Sequence, residues 1–299
     1  METTAASTTT SRRITAVVPA RQATEGGGFQ VYRPFPTDAL DLLDPFLLLD
    51  EMAPAHHPPG AMVGAPDHPH RGFETVTYVL DGEVEHRDSV GNRGVIYPGD
   101  VQWMTAGDGI VHSEMPSERI QRDGGRGHGL QLWVNLPKEH KRTRPRYQAL
   151  TAHDIPIVER GGVRVDVVAG ELLGTQGPAH THTPITFARV RIEPGATARL
   201  ALPEGHTAAL YSVAGGARIG ERTVGEHELA VFDRDGGAVV ITVDDDVPPL
   251  DGFVLAGEPI SEPVARYGPF VMNTREEIIE AIDDFNAGRM GSIPASGAA

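Results

Sequence analysis

The chain has 299 residues, with 26 Lys and Arg against 41 Asp and Glu, a formal charge of −15. So acidic a surface repels phosphate backbones and argues against direct nucleic-acid binding. The absence of cysteine excludes disulfides, thiolate-bound metals and thiol catalysis, and no apolar run reaches the ~18–20 residues of a membrane span.

In chain order, residues 1–13 are small, polar and rich in Thr and Ser, which reads as a disordered tail. Ser11-Arg-Arg13 has the look of a twin-arginine export signal. The apolar stretch behind it, Ile14–Pro19, is shorter than the ~7–15 residues an export signal needs, and Arg21 and Glu25 follow. A soluble N-terminus is therefore expected and, with no cysteine, a cytoplasmic protein.

The body of the chain, punctuated by 35 glycines and 24 prolines, alternates by twos. Glu74–Leu80 has the pattern of a strand, with Asp81-Gly82 as a hairpin turn. Val95–Tyr97 is a strand ending in the tight turn Pro98-Gly-Asp100, and Leu130–Leu136 is another. The same grammar restarts after the basic, proline-bearing stretch Pro137–Tyr147. Val163–Val168, Ile185–Ile192, Ala208–Val213, Ala230–Asp233 and Ala238–Val243 read as strands between Gly-rich turns. Strands at ~8–12-residue spacing predict a sandwich or barrel. Two such sets predict two barrels, over 14–145 and 146–287. Near the end, Thr274-x-x-Glu277 is a capping box opening a helix with Ile278, Ile279, Ile282 and Phe285 on its apolar face and Gly288 as its stop. Residues 288–299 are Gly/Ala/Ser-rich and expected to be loose.

Thirteen histidines are present, eight of them between residues 56 and 140. His68-Pro-His70 is the sharpest feature, because residues two apart on a strand face one side and Pro69 stiffens the approach. Glu74 shares their parity, and His112-Ser-Glu114 is a second same-face pair, one nitrogen and one oxygen ligand. If the two strands are neighbours, three imidazoles and a carboxylate converge. Such donors suit Fe(II), Mn, Ni, Cu or Zn and leave room for further ligands. A lone His-x-His is commonly no more than polar surface; the second pair is what favours a metal site. His180-Thr-His182 lies in a Gly/Pro/Thr loop and reads as surface. The basic run Lys141-Arg-Thr-Arg-Pro-Arg146 reads as a solvated or salt-bridging strap, and Asp244-Asp-Asp246 as a solvated turn.

Several longer strings resemble the pirin family of the cupin superfamily. They are Pro66-Asp-His-Pro-His-Arg-Gly-Phe-Glu-Thr75, Pro98-Gly-Asp-Val-Gln-Trp-Met-Thr-Ala-Gly107, Gly109-Ile-Val-His-Ser-Glu-Met-Pro116 and His128-Gly-Leu-Gln-Leu-Trp-Val-Asn-Leu-Pro137, with Ala256-Gly-Glu-Pro259 and Tyr267-Gly-Pro-Phe-Val-Met-Asn-Thr274 later. The resemblance spans Ile14 to Asn286. It implies an all-β chain of two tandem cupin (jelly-roll-type) β-barrels with one C-terminal helix, a monomer, with one iron in the N-terminal barrel and no metal in the second. Its ligands map onto His68, His70, His112 and Glu114. The general cupin pattern nominates Glu74 as the carboxylate instead; beside the pirin pattern, Glu74 becomes a residue that hydrogen-bonds and orients a ligand.

The resemblance also implies a function. Several pirin-like proteins cleave flavonols with O₂, as quercetin 2,3-dioxygenases, so a flat aromatic substrate, O₂ and Fe(II) are expected, with Glu114 taking the substrate's hydroxyl proton. Phe73, Trp103, Met104 and Met115 are close to the motifs, though each is weighed as core before pocket wall. The alternative is an iron-binding redox sensor that binds a transcription factor or metabolic enzyme without catalysis. Both readings need the same four ligands, and turnover of a flavonol discriminates between them.

Overall fold

Period-two stretches become strands, and the turns between them decide which sheet each strand joins. The computed structural model describes residues 11–294; residues 1–10 and 295–299, most of the two expected tails, lie outside them. Among the described residues the chain is built of antiparallel ladders and two α-helices, α1 (Glu118–Asp123) and α2 (Arg275–Asn286). No helix there is long and apolar enough to cross a membrane.

The contacts divide the chain into two units. The first comprises, among the described residues, 20–155, 179–183 and 259–294. Its seven-stranded sheet runs in the order Arg146–Leu150, Val101–Thr105, Phe73–Asp81, Gly125–Asn135, Phe46–His57, Phe29–Phe35, Arg21–Glu25. Its four-stranded sheet runs Ala65–His70, Ile110–Pro116, Val84–Asp88, Arg93–Ile96. The second unit comprises, among the described residues, 11–19, 156–178 and 184–258. It has the same plan, one seven-stranded and one four-stranded sheet. Its interior is a continuous apolar cluster of Val, Ile, Leu and Ala that includes Val165, Leu200, Leu210, Ile241 and Val254.

A single cut at residue 145 is not how these contacts fall. Strand Ile14–Pro19 pairs with Glu228–Phe232 in the second unit, where Ile14 joins the apolar interior with Val17 packed against it. Arg146–Leu150 is not linker but an edge strand on Val101–Thr105. Helix α2 packs in the first unit, where Ile278 and Ala281 join Val111, Phe270 and Met272 in one apolar cluster. The tails are tied down where described. Arg12 is buried and donates to the carbonyls of Gly236, His206, Asp233 and Pro203; Met290 is buried beside α2.

Two further expectations change, and one short helix lies outside them. Asp81-Gly82 closes no hairpin: Phe73–Asp81 lies in the seven-stranded sheet and Val84–Asp88 in the other, so the turn is a corner between sheets. The capping box of α2 is present, with the Glu277 amide donating to Thr274 Oγ1 and the Thr274 amide to Glu277 Oε2. The buried stripe, however, is Ile278 and Ala281, while Ile279 and Phe285 stay exposed. Helix α1 was not apparent from periodicity, being six residues long; Ser117 caps it through the Ile120 amide.

Gly72, between His70 and the strand Phe73–Asp81, has φ +88°, and a Cβ there would overlap the carbonyl oxygen of Val271. Gly72→Ala combines left-handed strain with that clash. It should lower stability by roughly 2–4 kcal/mol in chemical denaturation, whereas Gly91→Ala, open at its own positive φ, should lower it by about 1–2 kcal/mol.

Candidate metal centre

Register brings the histidines together. Ala65–His70 and Ile110–Pro116 pair antiparallel, with His112 opposite His68 and Ile110 opposite His70. His68 and His70 share a face by the two-residue period, and His112 shares it from the facing strand. Ring centroids are 4.7 Å apart for His68–His70, 4.3 Å for His68–His112 and 4.9 Å for His70–His112. One ring nitrogen from each lies within 4.8 Å of the others, a group that can hold a metal ion.

The hydrogen bonds say which nitrogens face inward. His68 Nδ1 lies 2.7 Å from the Pro66 carbonyl and His70 Nδ1 3.2 Å from the Pro269 carbonyl. A carbonyl accepts only, so both Nδ1 atoms carry the proton. Both Nε2 atoms therefore present lone pairs, and they face each other at 3.1 Å. Two facing lone pairs repel unless a cation or a proton sits between them. His112 is fully buried and neither of its nitrogens has a partner. Burial and the neighbouring imidazoles hold His70 and His112 well below the usual histidine range, so both are neutral and available as ligands at pH 7. The donor set fits a borderline divalent metal, with backbone carbonyls fixing the tautomers of His68 and His70.

Glu114 stands two residues beyond His112, past a register shift in the pairing with Ala65–His70. Its carboxylate is outside the three-histidine group. Oε1 accepts from Thr77 Oγ1 at 2.8 Å and from Gln102 Nε2, and Oε2 from Gln131 Nε2 at 2.8 Å. These three donors come from the seven-stranded sheet and hold the carboxylate beside the triad. No motif pointed to them, although Thr77, Gln102 and Gln131 fall in register across neighbouring strands.

Glu74 goes elsewhere. Its parity with His70 is lost at Arg71-Gly72, where one strand ends and another begins. Thr77 reaches Glu114; Glu74, three residues away, points to the opposite face, where Oε1 accepts from Thr105 Oγ1 at 2.6 Å and Oε2 has no partner. It orients no histidine. Burial pushes its pKa up to about 7, against the Thr105 hydrogen bond.

His68, His70 and Glu114 line a cavity of about 1200 Å³, walled in part by Met52, Met62, Val79 and Trp133. Trp133 also meets His70 edge-on at 5.2 Å. Met115 lines the cavity too, while Phe73, Trp103 and Met104 are buried core.

The back of the centre is braced by the segment Ala265–Met272. Besides Pro269 on His70, the Val271 amide donates to the Arg71 carbonyl. Lys141, buried rather than solvated, donates to Gly72 O, Val271 O and Asn135 Oδ1 at 2.8, 3.1 and 2.7 Å. Burial pulls its ammonium down to about 8. Arg71 bonds the Asp108 carbonyl and pairs with Asp284 of α2 at 2.7 Å. His180-x-His182 lies apart from the triad: His182 meets His140 at 4.8 Å, and the His180 backbone hydrogen-bonds the side chains of Arg146 and Gln148.

Glu74 generates a signed prediction. Its folded pKa, about 7, lies above the unfolded value, so between pH ~4.5 and ~7 the unfolded chain loses this proton first and stability falls as pH rises. Glu74→Gln removes that loss. In thermal melts from pH 4.5 to 8, its stability relative to wild type should climb by up to roughly 3 kcal/mol and level off above pH 7.

The sequence matches the Pirin family over residues 28–134 and the Pirin C-terminal cupin domain over 187–291. It is 48% identical over 269 residues to a putative quercetin 2,3-dioxygenase of Pseudomonas aeruginosa, covering 88% of this chain and 93% of that one. It is 42% identical to human Pirin, covering 94% of each. The crystal structure of a quercetin 2,3-dioxygenase from Acinetobacter baumannii superposes with a TM-score of 0.89 at 39% identity, over 95% of this chain and 100% of that one. The two sheet pairs are thus two cupin barrels, and the chain belongs to the pirin family.

Proposed function

We propose that this protein is a metal-dependent dioxygenase that opens the ring of quercetin-like flavonols with O₂, with Fe(II) as its metal and His68, His70, His112 and Glu114 as ligands. The observation that carries the reading is the facing pair of Nε2 lone pairs, with a third buried imidazole, beside a large and largely apolar cavity. The names of the relatives in Pseudomonas and Acinetobacter agree with it.

When bound, the metal supplies a Lewis acid for a substrate hydroxyl and a template for hydroxyl and O₂ together. The side chains do the rest. His70 and His112, kept neutral by burial, offer nitrogen without competing for protons. Glu114, fixed by Thr77, Gln102 and Gln131, is the base for the hydroxyl proton. Met52, Met62, Val79 and Trp133 give a flat aromatic an apolar seat and keep water away from it.

Metal analysis of protein purified without oxygen, followed by assay with quercetin and O₂, tests the reading. Wild type should hold about one metal per chain, and His68→Ala/His112→Ala should lose metal and flavonol cleavage together. Glu114→Gln should lose at least ~100-fold in turnover, the scale of a general base; full metal with full turnover in that variant removes Glu114 from the chemistry. Wild type that binds metal as described and turns over no flavonol would move the assignment to a metal-binding regulatory protein.

A further inference from the structure

We propose that His86 is a positioning residue of the metal centre: its Nδ1 accepts the N–H of the outer nitrogen of His112, and its Nε2–H is anchored on Asp88. The proposal rests on the triad being a metal site.

The three histidines are not supported alike. His68 and His70 each lean an Nδ1 on a backbone carbonyl. His112, the most deeply buried, has no partner at either nitrogen. A metal satisfies one of the two. The other still needs an acceptor, since a buried N–H without one is costly and leaves the ring free to rotate.

His86 is placed to be that acceptor. In the ladder between Ile110–Pro116 and Val84–Asp88, Asp88 stands opposite His112 and His86 opposite Glu114. His86 and His112 are therefore diagonal neighbours on one face, with ring centroids 5.5 Å apart. That is the separation of two imidazoles joined edge to edge by one hydrogen bond of about 3 Å. His86 is fully buried and its Nδ1 has no partner, while its Nε2 lies 3.2 Å from Asp88 Oδ2.

The tautomer follows from Asp88. Its carboxylate already accepts from the amides of Val90 and Asn92 and from Asn92 Nδ2, so it meets His86 as an acceptor. The proton of His86 sits on Nε2 and the lone pair on Nδ1. Tyr147 stacks on the ring at 4.5 Å and 24° and fixes its plane. One neighbouring ring must donate and the other can only accept.

The test uses full-length protein and Co(II) as the probe. Affinity is measured by chelator competition and geometry by the visible ligand-field spectrum. His86→Phe keeps a ring against Tyr147 and removes both nitrogens. It should fold, as judged by circular dichroism, yet bind Co(II) about 10–100-fold more weakly, the usual loss for a ligand's hydrogen-bond partner, with an altered spectrum. His86→Gln, which can still accept from His112 and donate to Asp88, should recover most of the affinity and the wild-type spectrum. Wild-type affinity and spectrum in His86→Phe, or a Gln variant as weak as the Phe variant, overturn the proposal while leaving the metal site standing. Wild type that takes up no Co(II) overturns both.

Discussion

Two imidazole nitrogens 3.1 Å apart, each with its proton committed to a carbonyl on the far side of its ring, are an unfavourable pairing held in place by everything around it. Period-two geometry puts His68 and His70 on one face, cross-strand register adds His112, and burial holds His70 and His112 in their neutral form. A cation placed between the two nitrogens would turn that repulsion into attraction.

The two barrels show the contrast from within one chain. Both are a seven-stranded sheet with a four-stranded partner. In the second, inward positions are Val, Ile, Leu and Ala, filling the interior. In the first, inward positions go to His and Glu on the four-stranded sheet and to Thr and Gln on the seven-stranded sheet, and every polar atom so placed needs a partner. Thr77, Gln102 and Gln131 supply one set of partners, to Glu114. The same architecture is thus a plain hydrophobic core in one half and a polar network in the other, decided by which residues occupy alternate positions.

Much of this was legible in the sequence for a physical reason: strands and cross-strand neighbours obey a short period. His68-Pro-His70 and His112-Ser-Glu114 could be placed on one face by counting, and the pirin strings placed both barrels. Counting failed where the backbone breaks period. Glu74 was assigned to the face of His70 by parity, but Gly72 at φ +88° resets it, and the carboxylate ends on Thr105. Ile279 and Phe285 fit a helical stripe in a list of letters, yet the surface that α2 meets is narrower than the stripe. Long-range partners were beyond reach altogether. Nothing near His70 indicates that its proton goes to Pro269, 199 residues on, or that the lysine of a basic run is buried under Val271.

The interleaving of the two units also sets an order of events during synthesis. The strand Ile14–Pro19 is made early, but its partner Glu228–Phe232 emerges only after the strands that carry the three histidines have been translated. That barrel in turn lacks the Pro269 carbonyl and the Val271 clasp until the second unit has been translated. Each half waits on a segment made long after its first strand, so native contacts between distant segments form late and folding is slow relative to a chain of two consecutive domains. The same interlock makes the molecule hard to divide: a ribosome that stops at the middle releases a barrel missing its back wall, with the histidines exposed and one of their carbonyl anchors never made.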